Sequence, residues 1–156
     1  MRHAVGCALL ILLLATACTT GGPTLDEASE VLAKDTEALK NFPLRDMKLV
    51  EENQRGTGDG PTCPEGTRRQ THNIIESFPA GGQTTPAAWI GAVKPSIHHT
   101  LISLGYEKNS GASQESPDRV ILVLGKKNPG ITFTILLQTS QPNIQVTGKT
   151  ECLAEE

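Results

Sequence analysis

Two of the four cysteines set the strongest limit on how this chain of 156 residues can fold. If Cys63 and Cys152 are joined, their Cα atoms must lie within about 7 Å. Only topologies that return both ends of the intervening chain to one rim survive that condition. Cys7 and Cys18 lie near the N-terminus and are accounted for by a different chemistry, so Cys63 and Cys152 are the even pair left over. In an exported chain such a pair is expected to form a disulfide. Closing a loop of this length stabilises by about 4 to 5 kcal/mol in the chain-entropy view. That matters here, because aromatic residues make up only 3% of the chain and the core must be built from Leu, Ile, Val and Ala.

Export is read from the N-terminus. Met1-Arg2-His3 is a short basic start, and Ala8–Leu14 (ALLILLL) is an apolar run. It is too short to span a bilayer, which takes about 20 apolar residues, and has the form of a secretory signal. Ala15-Thr16-Ala17-Cys18 then resembles the lipobox of bacterial lipoproteins. That resemblance implies diacylglycerol on the Cys18 thiol and removal of residues 1–17. Residues 18–23 become the lipidated Cys and a tether, and 24–156 a single domain. Five tether residues, Thr19–Pro23, reach at most about 18 Å. The expected place is the extracytoplasmic side of the cell membrane, held by lipid.

Thr24-Leu25-Asp26-Glu27 is a capping box: a hydroxyl for the orphan amides and a Glu three residues on. Leu25, Ala28, Leu32, Leu39 and Phe42 then share one helical face, with Asp35 and Glu37 read as off it, and Pro43 ends the run. Leu44–Val50 reads as a short strand and Glu51–Pro64, with Gly56, Gly58 and Gly60, as a loop. The GTGDG run lacks the strand, helix and Lys-Ser/Thr of a phosphate cradle. Thr67–Phe78 reads as one strand with a solvated face. Thr84-Thr85-Pro86 starts a second helix, with Pro in the first turn. Trp89, Val93, Ile97, Leu101 and Leu104 keep one face across Pro95, predicting a single kinked helix that Gly105 stops. Val120–Leu124 (VILVL) is a central strand. Gly125–Gly130 is a hairpin loop, and Ile131, Phe133, Ile135 and Leu137 alternate with Thr132 and Thr134. Ile144 and Val146 face the core, and Cys152 shares their parity.

The cysteine pair tests the topology. With Val120–Leu124 as the first strand after the helix, the chain would end a strand length, about 30 Å, from Cys63. One more short strand after Gly105 repairs this, and Tyr106–Asn109 has the length for it. The expected fold is α+β: a two-layer sandwich with a mostly antiparallel sheet of four to five strands and two helices on one face.

The layout resembles small actinobacterial lipoproteins of the LppA type. The shared parts are the lipobox, an N-terminal helix, a Cys before the first long strand, and a helix ending in Leu104-Gly105-Tyr106. A hairpin follows, then Val146-Thr147-Gly148 with Cys152 shortly after. The resemblance implies fold and location and carries no assigned activity.

No stretch carries a catalytic or cofactor motif, and none is expected to bind a metal. Adjacent His98 and His99 would point about 100° apart on a helix, and no G-x-S-x-G elbow exists. A net charge of −3 excludes a nucleic-acid binder. The expectation is a non-enzymatic envelope lipoprotein that binds or scaffolds a protein partner, with the membrane as its second partner through the lipid. Thr132 and Thr134 on the uncovered sheet face, with Lys126 and Lys127 at the hairpin tip, are the candidate contact residues. The alternative is a carrier for a lipid or other small apolar ligand, which needs an internal cavity.

Overall fold

A reciprocal pair of hydrogen bonds opens the first helix. The Thr24 amide donates to Glu27 Oε2 (3.2 Å) and the Glu27 amide to Thr24 Oγ1 (3.3 Å), which forms the expected capping box. Helix α1 (Leu25–Asn41) buries Leu25, Ala28, Leu32 and Leu39. Asp35 departs from expectation: it is only 3% exposed and belongs to the inward stripe, three residues after Leu32 and four before Leu39. The computed structural model describes residues 22–41, 49–50, 56–57, 63–78 and 84–154. Phe42, Cys18 and most of Leu44–Val50 lie outside them.

Helix α2 (Pro86–Ser103) starts at Thr85, whose hydroxyl accepts the Ala88 amide (3.3 Å), and runs through Pro95 as one element. Its end is set by Gly105 at φ +89°. The Tyr106 amide returns to the Leu101 carbonyl and the Gly105 amide to that of Ile102, both at 3.0 Å. This pair of bonds is the Schellman closure that a left-handed glycine permits. Ile90, Val93, Ile97 and Leu101 are buried, with Trp89 and Leu104 packed at the margin.

The strands are β1 (Leu49–Val50), β2 (Gly56–Thr57), β3 (Thr67–Arg68), β4 (Gln70–Glu76), β5 (Glu107–Lys108), β6 (Gln114–Ser116), β7 (Arg119–Lys126), β8 (Ile131–Gln138), β9 (Ile144–Thr150) and β10 (Leu153–Ala154). Every pairing is antiparallel, and the main sheet runs β1-β4-β9-β8-β7-β5, with β2 also on β4 and β6 also on β7. The fold class is the expected α+β sandwich, with both helices on one face and β5 as the short strand after Gly105; the main sheet has eight strands instead of four to five, because the short β1, β2 and β6 add to β4 and β7. Gly56–Thr57 corrects the reading of Glu51–Pro64 as loop throughout: it pairs with Gln70 and Thr71.

Alternation builds the core. Val120, Leu122 and Leu124 of β7, Ile131, Phe133, Ile135 and Leu137 of β8, and Ile144 and Val146 of β9 are all buried beneath the helices. Gly148 is required at its place: a Cβ there would come within 2.5 Å of Phe133 and 2.7 Å of Leu32, so α1 sits close against the sheet. At the opposite end Asn143, 2% exposed, closes the β8–β9 loop. Its Oδ1 accepts the Phe78 amide (3.0 Å), and its Nδ2 donates to the carbonyls of Gln138, Thr139 and Ser140 (3.1 to 3.2 Å).

Cys63 and Cys152 are at bonding distance as a disulfide, with Cα atoms 5.5 Å apart. The expected single strand Thr67–Phe78 is broken at Arg69. Thr71 pairs with Lys149, yet Arg68, three residues back, pairs with Leu153, four residues on. One extra residue is therefore inserted, as in a β-bulge. Side chains bridge the gap: the Gln70 amide donates to Thr150 Oγ1 (3.0 Å) and Arg69 Nε to the Thr150 carbonyl (3.1 Å). A one-residue slip reverses the side-chain parity. Thr150, before the insertion, keeps the core parity of Ile144 and Val146 and is buried, whereas Cys152, beyond it, stands half-buried at the rim instead of on the core face.

The outer edge of β7 is closed. β6 and β5 pair with its two ends, and between them the Asn109 amide donates to the Val123 carbonyl (2.8 Å) and the Val123 amide to Ser113 Oγ (3.1 Å). Such edge protection removes a template for uncontrolled pairing.

Candidate functional site

The sheet face away from the helices is a grid fixed by register. One row reads Thr71, Lys149, Thr132, Gly125 across β4, β9, β8 and β7. The next reads Asn73, Thr147, Thr134, Val123, and the third Ile75, Gln145, Leu136, Ile121. All twelve positions are half-buried, in alternation with the buried core positions. Among the described residues no helix lies over them. Thr147 Oγ1 and Asn73 Oδ1 are joined at 2.9 Å, which holds the middle row in place. Across these twelve positions the face grades from polar, with Lys149 as the one charge among them, at the hairpin end to mostly aliphatic in the third row. Such a surface offers shape and hydrogen-bonding groups.

The hairpin end adds a rim. Lys126 has core-face parity, and its ammonium reaches Asp35 Oδ2 on α1 (3.0 Å) while lying 5.0 Å from the Tyr106 ring centre. Tyr106, 2% exposed, donates its hydroxyl to the same oxygen (2.9 Å) and packs edge-on to Phe133. Burial, then the hydrogen bond to Asp35 and its charge, push the phenol above its ordinary value, so it stays a proton donor. Asp35 thereby holds α1, the end of α2 and the end of β7 at one point. Beside it lies an open depression of about 260 Å³ walled by Lys127, Lys108, Glu107, Glu151 and Thr132. Lys108 is engaged with Glu115, whose carboxyl Lys94 and Lys108 hold below its usual range. Lys127 is exposed.

Thr132 and Thr134 therefore sit on adjacent rows of one face, and Thr132 also reaches the depression with Lys126 and Lys127. Lys126 is directed inward and its charge is matched by Asp35. Cys63 and Cys152 are brought together, and Cys18 lies outside the described residues. His98 is half-buried and His99 exposed on α2. Among the described residues no three His, Cys, Asp or Glu side chains are grouped to hold a metal, and no helix is long and apolar enough to cross a membrane.

Two buried acids escaped sequence reasoning. Asp35 had a findable signal, its place in the Leu32–Leu39 stripe. Glu76 had a weaker one, its shared parity with Ile74 and Phe78; it is 1% exposed and neither carboxyl oxygen has a hydrogen-bond partner among the described residues.

Fold and face together define a two-layer α+β domain with one open, hydroxyl-rich sheet surface. Searches of protein-family models, curated proteins and solved structures found no match to this chain.

Proposed function

We propose that this chain is a lipid-anchored envelope lipoprotein of the LppA type with a non-catalytic binding or scaffolding role, attached through Cys18 on the extracytoplasmic side of the cell membrane. The open sheet face carries the reading. Four strands present three ordered rows of Thr, Asn, Gln and aliphatic side chains with no layer over them among the described residues. An envelope protein partner docks on this face, with Lys127 at its rim. The Ala15–Cys18 box and the short tether support the location. The described interlayer space is filled by side chains from both helices and the sheet, which weighs against the carrier alternative.

Thr132→Arg with Thr134→Arg tests it. Both side chains point away from the core, so folding should persist, while two guanidinium groups in the middle of the face should reduce crosslinking to a partner in native membranes by at least about tenfold. Mass spectrometry of the same native protein should find diacylglycerol on an N-terminal Cys18. Undiminished crosslinking by the double variant rules out this face. If no partner crosslinks while the extracted protein carries, besides the Cys18 diacylglycerol, one non-covalently bound lipid per chain, the carrier reading replaces this one.

A further inference from the structure

Glu76 is the last residue of β4, paired across the ladder with Ile144 of β9 on one side and Leu49 of β1 on the other. Its side chain shares the helix side with Ile74 and Phe78. Neither oxygen is exposed, and among the described residues neither has a donor within hydrogen-bond distance. A carboxylate in that state has lost its water and gained nothing in return, so the neutral form is strongly favoured.

Among the described residues no charge stands ready to compensate. On β4 the titratable group of the same parity is His72, four residues back and so about 13 Å away, placed at Thr36 of α1 (3.3 Å). On α1 the inward acid Asp35 is occupied by Tyr106 and Lys126 at the other end of the sheet. Lys40 is paired with Glu37 (3.3 Å). α2 turns Ile90, Val93, Ile97 and Leu101 inward, and its Lys94 is paired with Glu115. β9 contributes Ile144, the loop before it the side-chain amide of Asn143, and β1 is Leu49–Val50.

We propose that this corner is a proton-operated switch: the Glu76 carboxyl is neutral while the corner is closed, and its ionisation lets water in between β4 and the start of α2. Burial pushes the group up to about 7 from its usual 4.5, so the change falls in the range that an exported protein meets. The sign follows from linkage. Between 4.5 and about 7 the folded chain holds a proton that the unfolded chain has released, so stability falls as pH rises through this window and levels off above it. A reporter is built in. Trp89, the one tryptophan, stacks on Phe78 with ring centres 5.8 Å apart, and Phe78 lies two residues from Glu76 on the same face. The switch belongs to the helix side of the sheet and is independent of partner docking on the open face.

The test is tryptophan fluorescence of the full chain in detergent micelles, followed from pH 5 to 9 under native conditions. Wild type should show a one-proton step near pH 7. Glu76→Gln should abolish the step, and His72→Gln should leave it in place. In urea titrations the wild-type unfolding constant should contain a component that grows on the order of 300-fold from well below pH 4.5 to well above 7, and Glu76→Gln should lack it. A wild type without the step, a step that persists in Glu76→Gln, or a step lost in His72→Gln each overturns the proposal.

Discussion

Asp35 shows how a single side chain can join three elements. Its carboxylate accepts from the Tyr106 hydroxyl and the Lys126 ammonium, residues 71 and 91 positions away. Asp35→Ala leaves the Tyr106 hydroxyl buried without its acceptor, while Lys126, whose side chain is 21% exposed, can swing to water. The expected cost is about 2 to 3 kcal/mol, below the full penalty of a stranded buried charge. Urea denaturation checks it. Tyr106→Phe should cost about 1 kcal/mol, and much less again in the Asp35→Ala background, because the partner is already gone. Position in the Leu32–Leu39 stripe put Asp35 inside, but its chemistry spoke for the surface. Its partners are remote in sequence, and no local pattern pairs a helix acid with a distant hairpin lysine. Glu76 was hidden for a different reason: a polar residue in an alternating strand reads as belonging to the wet face.

At the scale of elements, local chemistry was legible and register was not. The Thr24–Glu27 box, the Thr85-Pro86 start, the Gly105 stop and the alternation from Ile131 to Leu137 each depend on a few adjacent residues, and each is where the sequence places it. The short strand after Gly105 was legible through the cysteine pair, since chain reach is a global condition that sequence positions can test. The pairing of Gly56–Thr57 with β4 and the extra residue beside Arg69 depend on distant partners, so polar, glycine-rich stretches gave no sign of them. The open face was half legible: alternation exposes Thr132 and Thr134, but their neighbours Thr147 and Lys149 follow only from the β8–β9 register. Asn143 is the element-scale joint with the clearest test. Asn143→Ala strips the Phe78 amide of its acceptor and three loop carbonyls of their donor. A loss of about 2 to 3 kcal/mol is expected. Hydrogen exchange should localise the fastest new opening to the β8–β9 loop and the end of β4, leaving the Cys63–Cys152 rim protected.

For the whole molecule, the disulfide spans 89 positions and closes the small β3–β10 sheet. Cys63→Ser with Cys152→Ser should lower stability by about 4 to 5 kcal/mol, seen as a drop in the midpoint of thermal unfolding, and should match the effect of a reductant on wild type. A loss confined to the β3–β10 rim, with the main sheet's midpoint unchanged, would show that the bond trims an end and does not brace the domain. The bond also makes residues 63–152 a covalent ring, and α1 lies upstream of it. Any tension delivered through the proposed N-terminal anchor therefore reaches α1 first and can run no further along the chain than Cys63 before meeting the ring. The seat of Leu32 against Gly148 and the grip of Asp35 on Lys126 form the joint that bears the load. β4, β7, β8 and β9 sit behind it as an unbroken plate. Were the chain pulled from its N-terminus, α1 would be the first described helix to bear the load, and the ring behind it would hold the open face together.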